Sequence, residues 1–120
     1  MYVGKRVERR DAVEKVTGKG RYVDDLEPAR TLHAATVRSP ISRGRIKSIN
    51  KATALAMEGV VTVLSAEDVP GRNRMPLVAD DYPFLADEEL RFIGQPIAIV
   101  AAESLAVARA AADAVTIEYE

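Results

Sequence analysis

Apolar and polar positions divide the chain into short elements, and the clearest lie near its end. Residues 97–102 read IAIVAA, the longest unbroken apolar run. Such a run is buried on both faces and predicts a central strand. Gly94 marks a turn just before it, and Pro96 can open a strand but cannot sit inside a ladder. Ser104 offers a helix N-cap. The alanine-rich residues 105–114 predict a helix with little side chain between itself and a sheet. Val115, Ile117 and Tyr119 then alternate with Thr116, Glu118 and Glu120, which predicts a half-buried strand.

The earlier part of the chain has weaker signals. Residues 2–10 are short on pattern and predict an extended arm. Asp11 can cap one helical turn over 12–16, ended by Gly18. Tyr22 and Val23 predict a short strand. Further strands are expected over 32–37 and 46–50, although Ile46 and Ile49 fall out of phase with strict alternation. Residues 51–58 predict a short alanine-rich helix with Gly59 as its C-cap. The run VVTVL at 60–64 predicts a buried strand, and 66–69 a single helical turn. Strand, alanine-rich helix and strand therefore occur twice, at 46–64 and at 97–119, without a shared residue motif.

Between the two blocks lies 70–89, PGRNRMPLVADDYPFLADEE, with three prolines and no sustained period. Loops of this length are uncommon in compact domains and usually functional or disordered. Met75, Leu77, Val78, Tyr82, Phe84 and Leu85 make this one too apolar for a disordered linker. It is expected to pack against something or to line a pocket.

Composition narrows the function classes. The length of 120 residues fits one domain, 1–120. With 17 basic and 18 acidic residues the net charge is −1, which argues against a general nucleic-acid binder. No apolar stretch approaches the length of a membrane helix. The N-terminus has no apolar signal-peptide core, so the cytoplasm is the expected compartment. There are no cysteines, which excludes disulfides, cysteine-ligated zinc and iron–sulfur ligation by this chain.

Candidate chemistry is sparse. His33, the one histidine, lies in an apolar strand pattern with no partner for metal binding or catalysis evident. Asp24-Asp25, Asp80-Asp81 and Asp87-Glu88-Glu89 match no metal-loop spacing and read as solvated loop charges. Gly18-Lys19-Gly20 lacks the phosphate-loop pattern and reads as a turn. Arg38, Arg43, Arg45 and Lys47 form a basic patch that reads as a charged sheet edge rather than an anion site. No catalytic, cofactor-binding or metal residue is assigned.

A resemblance adds what the residues alone do not. The stretch ending at Gly18 reads R-x-D-A-x-E-K-V-T-G, and Arg21 to Asp25 reads R-Y-x-D-D. L-H-x-x-x-V-R-S-P runs from Leu32 to Pro40 and R-I-x-S-I from Arg45 to Ile49. G-V-V-x-V-L-S-A-E-D-V-P-G-x-N spans Gly59 to Asn73, and R-F-I-G-Q-P-I-A-x-V-A-A-E spans Arg91 to Glu103. A-x-x-A-A-x-x-V-x-I-E-Y-E closes the chain. In this order they resemble the first domain of the molybdenum-binding large subunit of xanthine dehydrogenase and aldehyde oxidase relatives, the α/β hammerhead.

The resemblance implies an α+β fold: a mixed, mostly antiparallel sheet with two alanine-rich helices. It implies a parent enzyme that hydroxylates aldehydes or N-heterocycles with water as the oxygen source. A molybdenum–pyranopterin cofactor, iron–sulfur clusters and FAD would sit outside this chain, which is then an excised domain or split subunit, inactive alone. Gln95 is not expected to be a cofactor ligand. The implied partners are later cofactor-binding domains of the same subunit and the iron–sulfur and FAD subunits or domains. The loop after D-V-P-G-x-N would help line the substrate funnel, with Leu77, Val78 and Ala79 at the matching positions. Exposed apolar loop residues would let the isolated chain self-associate. The alternative is a free-standing protein-interaction module without an enzymatic role.

Overall fold

The structure is a computed structural model that describes residues 3–76, 79 and 81–120. Among the described residues three short α-helices, α1 (Ala12–Val16), α2 (Ala52–Leu55) and α3 (Leu105–Ala114), accompany six strands. These are β1 (His33–Arg38), β2 (Gly44–Asn50), β3 (Val60–Ser65), β4 (Glu89–Leu90), β5 (Pro96–Ala102) and β6 (Thr116–Tyr119). All pairings are antiparallel. They divide between two three-stranded sheets, in the orders β1-β5-β3 and β4-β2-β6. This is the α+β hammerhead class that the resemblance implies.

The two strand–helix–strand units interlock. The first, β2–α2–β3, crosses from the second sheet to the first, and β5–α3–β6 crosses back. Because β2 pairs with β6 and β3 with β5, each unit supplies one partner strand to the other. Neither unit can complete a sheet alone.

β5 is the middle strand, as its unbroken apolar run requires. Its two faces serve two cores. Ala98 and Val100 join Val37, Val63, Ala54, Ala111 and Val115 under α3. Ile97 faces the other way and joins Leu90 and Ala86, flanked by Ile46, Ile49, Ile117 and Tyr119 of the second sheet. Ile49 and Ile117 touch both cores. Helix α3 begins where expected, with the Ser104 hydroxyl accepting from the Val107 N–H at 3.2 Å. Ala108 and Ala111 are fully buried beneath it, so the helix lies close on β1 and β5.

Several expectations change. Residues 22–23 do not form a strand; Val23–Asp25 is a 3-10 turn, with the Asp25 carboxylate accepting from the Tyr22 N–H at 2.8 Å. No strand lies alongside to pair with it, so the local acid-capped turn prevails. Asp11 does not cap α1, because Arg9 and Lys15 hold its carboxylate at 2.6 and 2.7 Å. Helix α2 is four residues rather than eight. The chain leaves it through tight turns at Met57 and Val60, with Gly59 in the left-handed region. The phase error between Ile46 and Ile49 is real: a bulge between Ile46 and Ser48 restores both isoleucines to the inward face.

The arm is longer than predicted. From residue 3 to residue 32 no side chain is buried. The radius of gyration is 20.3 Å, against about 14 Å for a compact chain of this length.

Candidate functional site

The loop between β3 and β4 is built on a clamped stem. Asn73 holds the stem by two bonds to one residue. Its Nδ2 donates to the Leu85 carbonyl at 2.7 Å, and its Oδ1 accepts from the Leu85 N–H at 3.1 Å. Leu85 and Ala86 are buried, as is Pro83. Above the clamp the Met75 N–H donates to the Tyr82 carbonyl at 2.8 Å, which closes the loop. Arg74 pairs with Asp87 at 2.8 Å. Burial pushes the Asp87 carboxyl up, but the Arg74 guanidinium and nearby amides outweigh it and leave it below its ordinary range.

Of the three residues matched to the funnel, only Ala79 is described. Ala79 is exposed. Leu77 and Val78, together with Asp80, lie outside the described residues. Met75, Leu77, Val78, Phe84 and Leu85 are the loop residues expected to face outward; among those described, Phe84 is exposed, Met75 is half-buried, and Leu85 belongs to the domain's own interior.

A second loop supports the first. The turn 91–95 rests on Gln95, which is 1 % exposed. Gln95 Oε1 accepts from the Arg91 N–H at 2.8 Å, and its carbonyl accepts from the Ser39 N–H at 2.9 Å. The Arg38 guanidinium donates to the Gly94 carbonyl at 2.8 Å, with Gly94 itself at φ +86°. Gln95 is thus a structural anchor, in keeping with its reading as a turn residue. Across the gap, Arg91 Nη1 donates to the Asp81 carbonyl at 3.2 Å. The Phe92 ring stacks on Tyr82, with centroids 6.2 Å apart and planes 15° off parallel. Sequence reasoning passed over Asn73, Arg91 and Phe92. The one available signal was their place in the two longest motifs.

The remaining candidates are dispersed. His33 is exposed on β1. The amides of Lys19 and Gly20 both donate to the Glu14 carbonyl at 2.9 Å, so Gly18-Lys19-Gly20 offers no cradle for phosphate. Arg43, Arg45 and Arg91 border a cleft with Glu89 and Leu90. Glu88 pairs with Arg45 at 3.5 Å, and Glu89 adds a second negative charge at the same edge. Among the described residues no group of three His, Asp or Glu side chains is placed to hold a metal ion. Among the described residues no helix is long and apolar enough to cross a membrane.

One charged cluster is structural. The Lys51 ammonium, 18 % exposed, donates to Ser65 Oγ at 2.7 Å, Asp68 Oδ2 at 2.9 Å and Glu67 Oε1 at 3.1 Å. It ties the start of α2 to the end of β3. Burial pulls Lys51 down, but the bonds to Asp68 and Glu67 outweigh it and raise its pKa. The same ammonium lowers both carboxyls. The lowered carboxyls contribute stability that is lost as pH falls through their folded values, and the raised lysine contributes stability that is lost as pH rises through its own. The melting-temperature gap between wild type and Lys51→Met should therefore be constant from about pH 5 to pH 10. It should narrow on either side, and a gap indifferent to pH would refute this role.

Residues 17–120 match the protein family described as the aldehyde oxidase and xanthine dehydrogenase a/b hammerhead domain. The chain is 46% identical over 108 residues to the carbon monoxide dehydrogenase large chain of Hydrogenophaga pseudoflava, covering 88% of this chain and 13% of that one. It is 37% identical over 118 residues to the nicotinate dehydrogenase large molybdopterin subunit of Eubacterium barkeri, covering 98% of this chain and 28% of that one. The reconstituted CO dehydrogenase from Oligotropha carboxidovorans superposes with a TM-score of 0.90 at 38% identity, over 98% of this chain and 15% of that one. The chain thus spans well under a third of these relatives, and the agreement extends through its exposed arm. It belongs to the aldehyde oxidase and xanthine dehydrogenase family, as that family's α/β hammerhead domain.

Proposed function

We propose that this domain serves a molybdenum hydroxylase as scaffold and as one wall of the passage through which substrate reaches the metal. The parent enzyme would hydroxylate an aldehyde or an N-heterocycle with oxygen from water. The observation that carries the reading is the long loop clamped at its stem, in a chain whose relatives are several times longer. Leu77, Val78 and Ala79 are assigned to the passage wall. The test is Leu77→Ala in the intact enzyme, read as kcat/KM over small and bulky aldehydes. Unequal losses support the wall, whereas equal losses with a lowered melting temperature remove it.

The chemistry is assigned elsewhere in the enzyme. A chain without cysteine does not fit an iron–sulfur cluster. Its described carboxylates and its exposed His33 do not converge on a metal. The molybdenum–pyranopterin, the clusters and FAD are accordingly assigned to other domains or subunits, and no step through them is given to this one.

The arm is assigned to contacts with those other parts. Val7, Val13, Val16, Tyr22, Val23 and Leu26 are each more than half exposed along it. A chain that displays so many apolar side chains associates when nothing covers them. The isolated chain should sediment as concentration-dependent oligomers, and removal of residues 1–31 should reduce the association. A strict monomer at all concentrations would count against it.

A further inference from the structure

The funnel loop is not held by its own stem alone. Its clamp, Asn73 on Leu85, lies below the closing bond of Met75 and Tyr82. Beyond that bond, two contacts to the tip side come from the separate turn 91–95. One is polar, from Arg91 Nη1 to the Asp81 carbonyl at 3.2 Å. The other is the stack of Phe92 on Tyr82. Both rings are only partly covered, Phe92 at 39% and Tyr82 at 37% exposure, so the stack is not part of either buried core.

The turn itself is rigidly mounted. Gln95 reaches back to the Arg91 N–H, and Ser39 exchanges main-chain bonds with both Gln95 and Gly94. Arg38 braces the Gly94 carbonyl. Pro96 then enters β5, the most buried strand. Asp81 and Tyr82 are thereby referenced to the centre of the fold through one turn.

We infer that Arg91 and Phe92 are positioning residues that set where Asp81 and Tyr82, the returning limb of the loop, stand, and so set substrate selectivity without touching substrate. The last step rests on the funnel role proposed for the loop; the mounting itself does not. A planar ring on a planar ring fixes distance and tilt together, and the guanidinium bond fixes the height of Asp81 above the turn.

The experiment is amide exchange on the 120-residue chain, wild type, Phe92→Ala, Phe92→Tyr and Arg91→Met. The probe is the Met75 N–H, whose bond to Tyr82 closes the loop, with Ala98 and Val100 of β5 as internal references. Phe92→Ala should speed Met75 exchange about tenfold, the size expected for losing one ring stack. Arg91→Met should speed it several-fold. Phe92→Tyr should restore the wild-type rate, and the β5 amides should not change. An unaltered Met75 rate in both Phe92→Ala and Arg91→Met overturns the inference. So does equal acceleration of the β5 amides, which would make Phe92 a general stability residue, and so does failure of Phe92→Tyr to restore. If Phe92→Ala frees the loop while Leu77→Ala leaves selectivity unaltered, the mounting stands and the funnel role falls.

Discussion

Replacing Ile97 by alanine is expected to lower stability by about 2–5 kcal/mol. Ile97 is completely buried, and it is the residue through which the central strand of one sheet enters the core of the other. Truncation removes its apolar contacts and leaves a cavity bounded by Leu90 and Ala86, with Ile46, Ile49 and Ile117 around it. All of these but Ala86 come from hydrogen-bonded strands, so they cannot collapse far into the void. Ile99, on the same strand but only partly buried, should cost clearly less when cut to alanine. Urea denaturation of the two variants measures this, with the midpoint shifting and the slope held. A loss at Ile97 below that at Ile99 would mean the two sheets are not joined where the packing places the join.

Leu77→Ala is expected to change kcat/KM by up to roughly a hundredfold for bulky substrates, and far less for small ones. The argument is local. Pro76 precedes Leu77 and Val78 in sequence and two aspartates follow Ala79, so under the proposed funnel role these two apolar residues would be the ones to meet a ring or alkyl group. Apolar contacts discriminate by only about 1–3 kcal/mol per feature, which bounds the effect. Molybdenum content should not change, because no pterin contact is assigned to this loop. If Leu77 were instead a core residue, the variant would lose about 2–5 kcal/mol of stability and activity on every substrate alike. Melting temperature measured beside the substrate panel separates the two readings.

Much of the fold was legible along the chain because its signals are local. Ser104 caps α3 at the expected position, and the alanines set both its length and its closeness to the sheet. The unbroken run at 97–102 required a strand with neighbours on both edges, which β5 has in β1 and β3. The motifs carried the family.

What the spacing of residues left undecided depends on partners far away in sequence. Each of the repeated strand–helix–strand units reads as one continuous block, yet each divides its strands between two sheets, because the edge that pairs with β6 belongs to β2 and not to β5. The same cause explains the bulge in β2: an out-of-phase isoleucine pair looks like noise until β6 shows where the ladder shifts. Tyr22 and Val23 have strand-like side chains but no strand beside them, so capping by Asp25 decides their shape. At the loop, its length and apolar content were visible in the residues, whereas its mounting was not. The Asn73 clamp spans twelve residues, and the ring stack joins Tyr82 to a turn that only β5 holds in place. Hydrogen bonds and ring contacts of that span leave no periodic mark on a sequence, so they become visible only when the chain has folded.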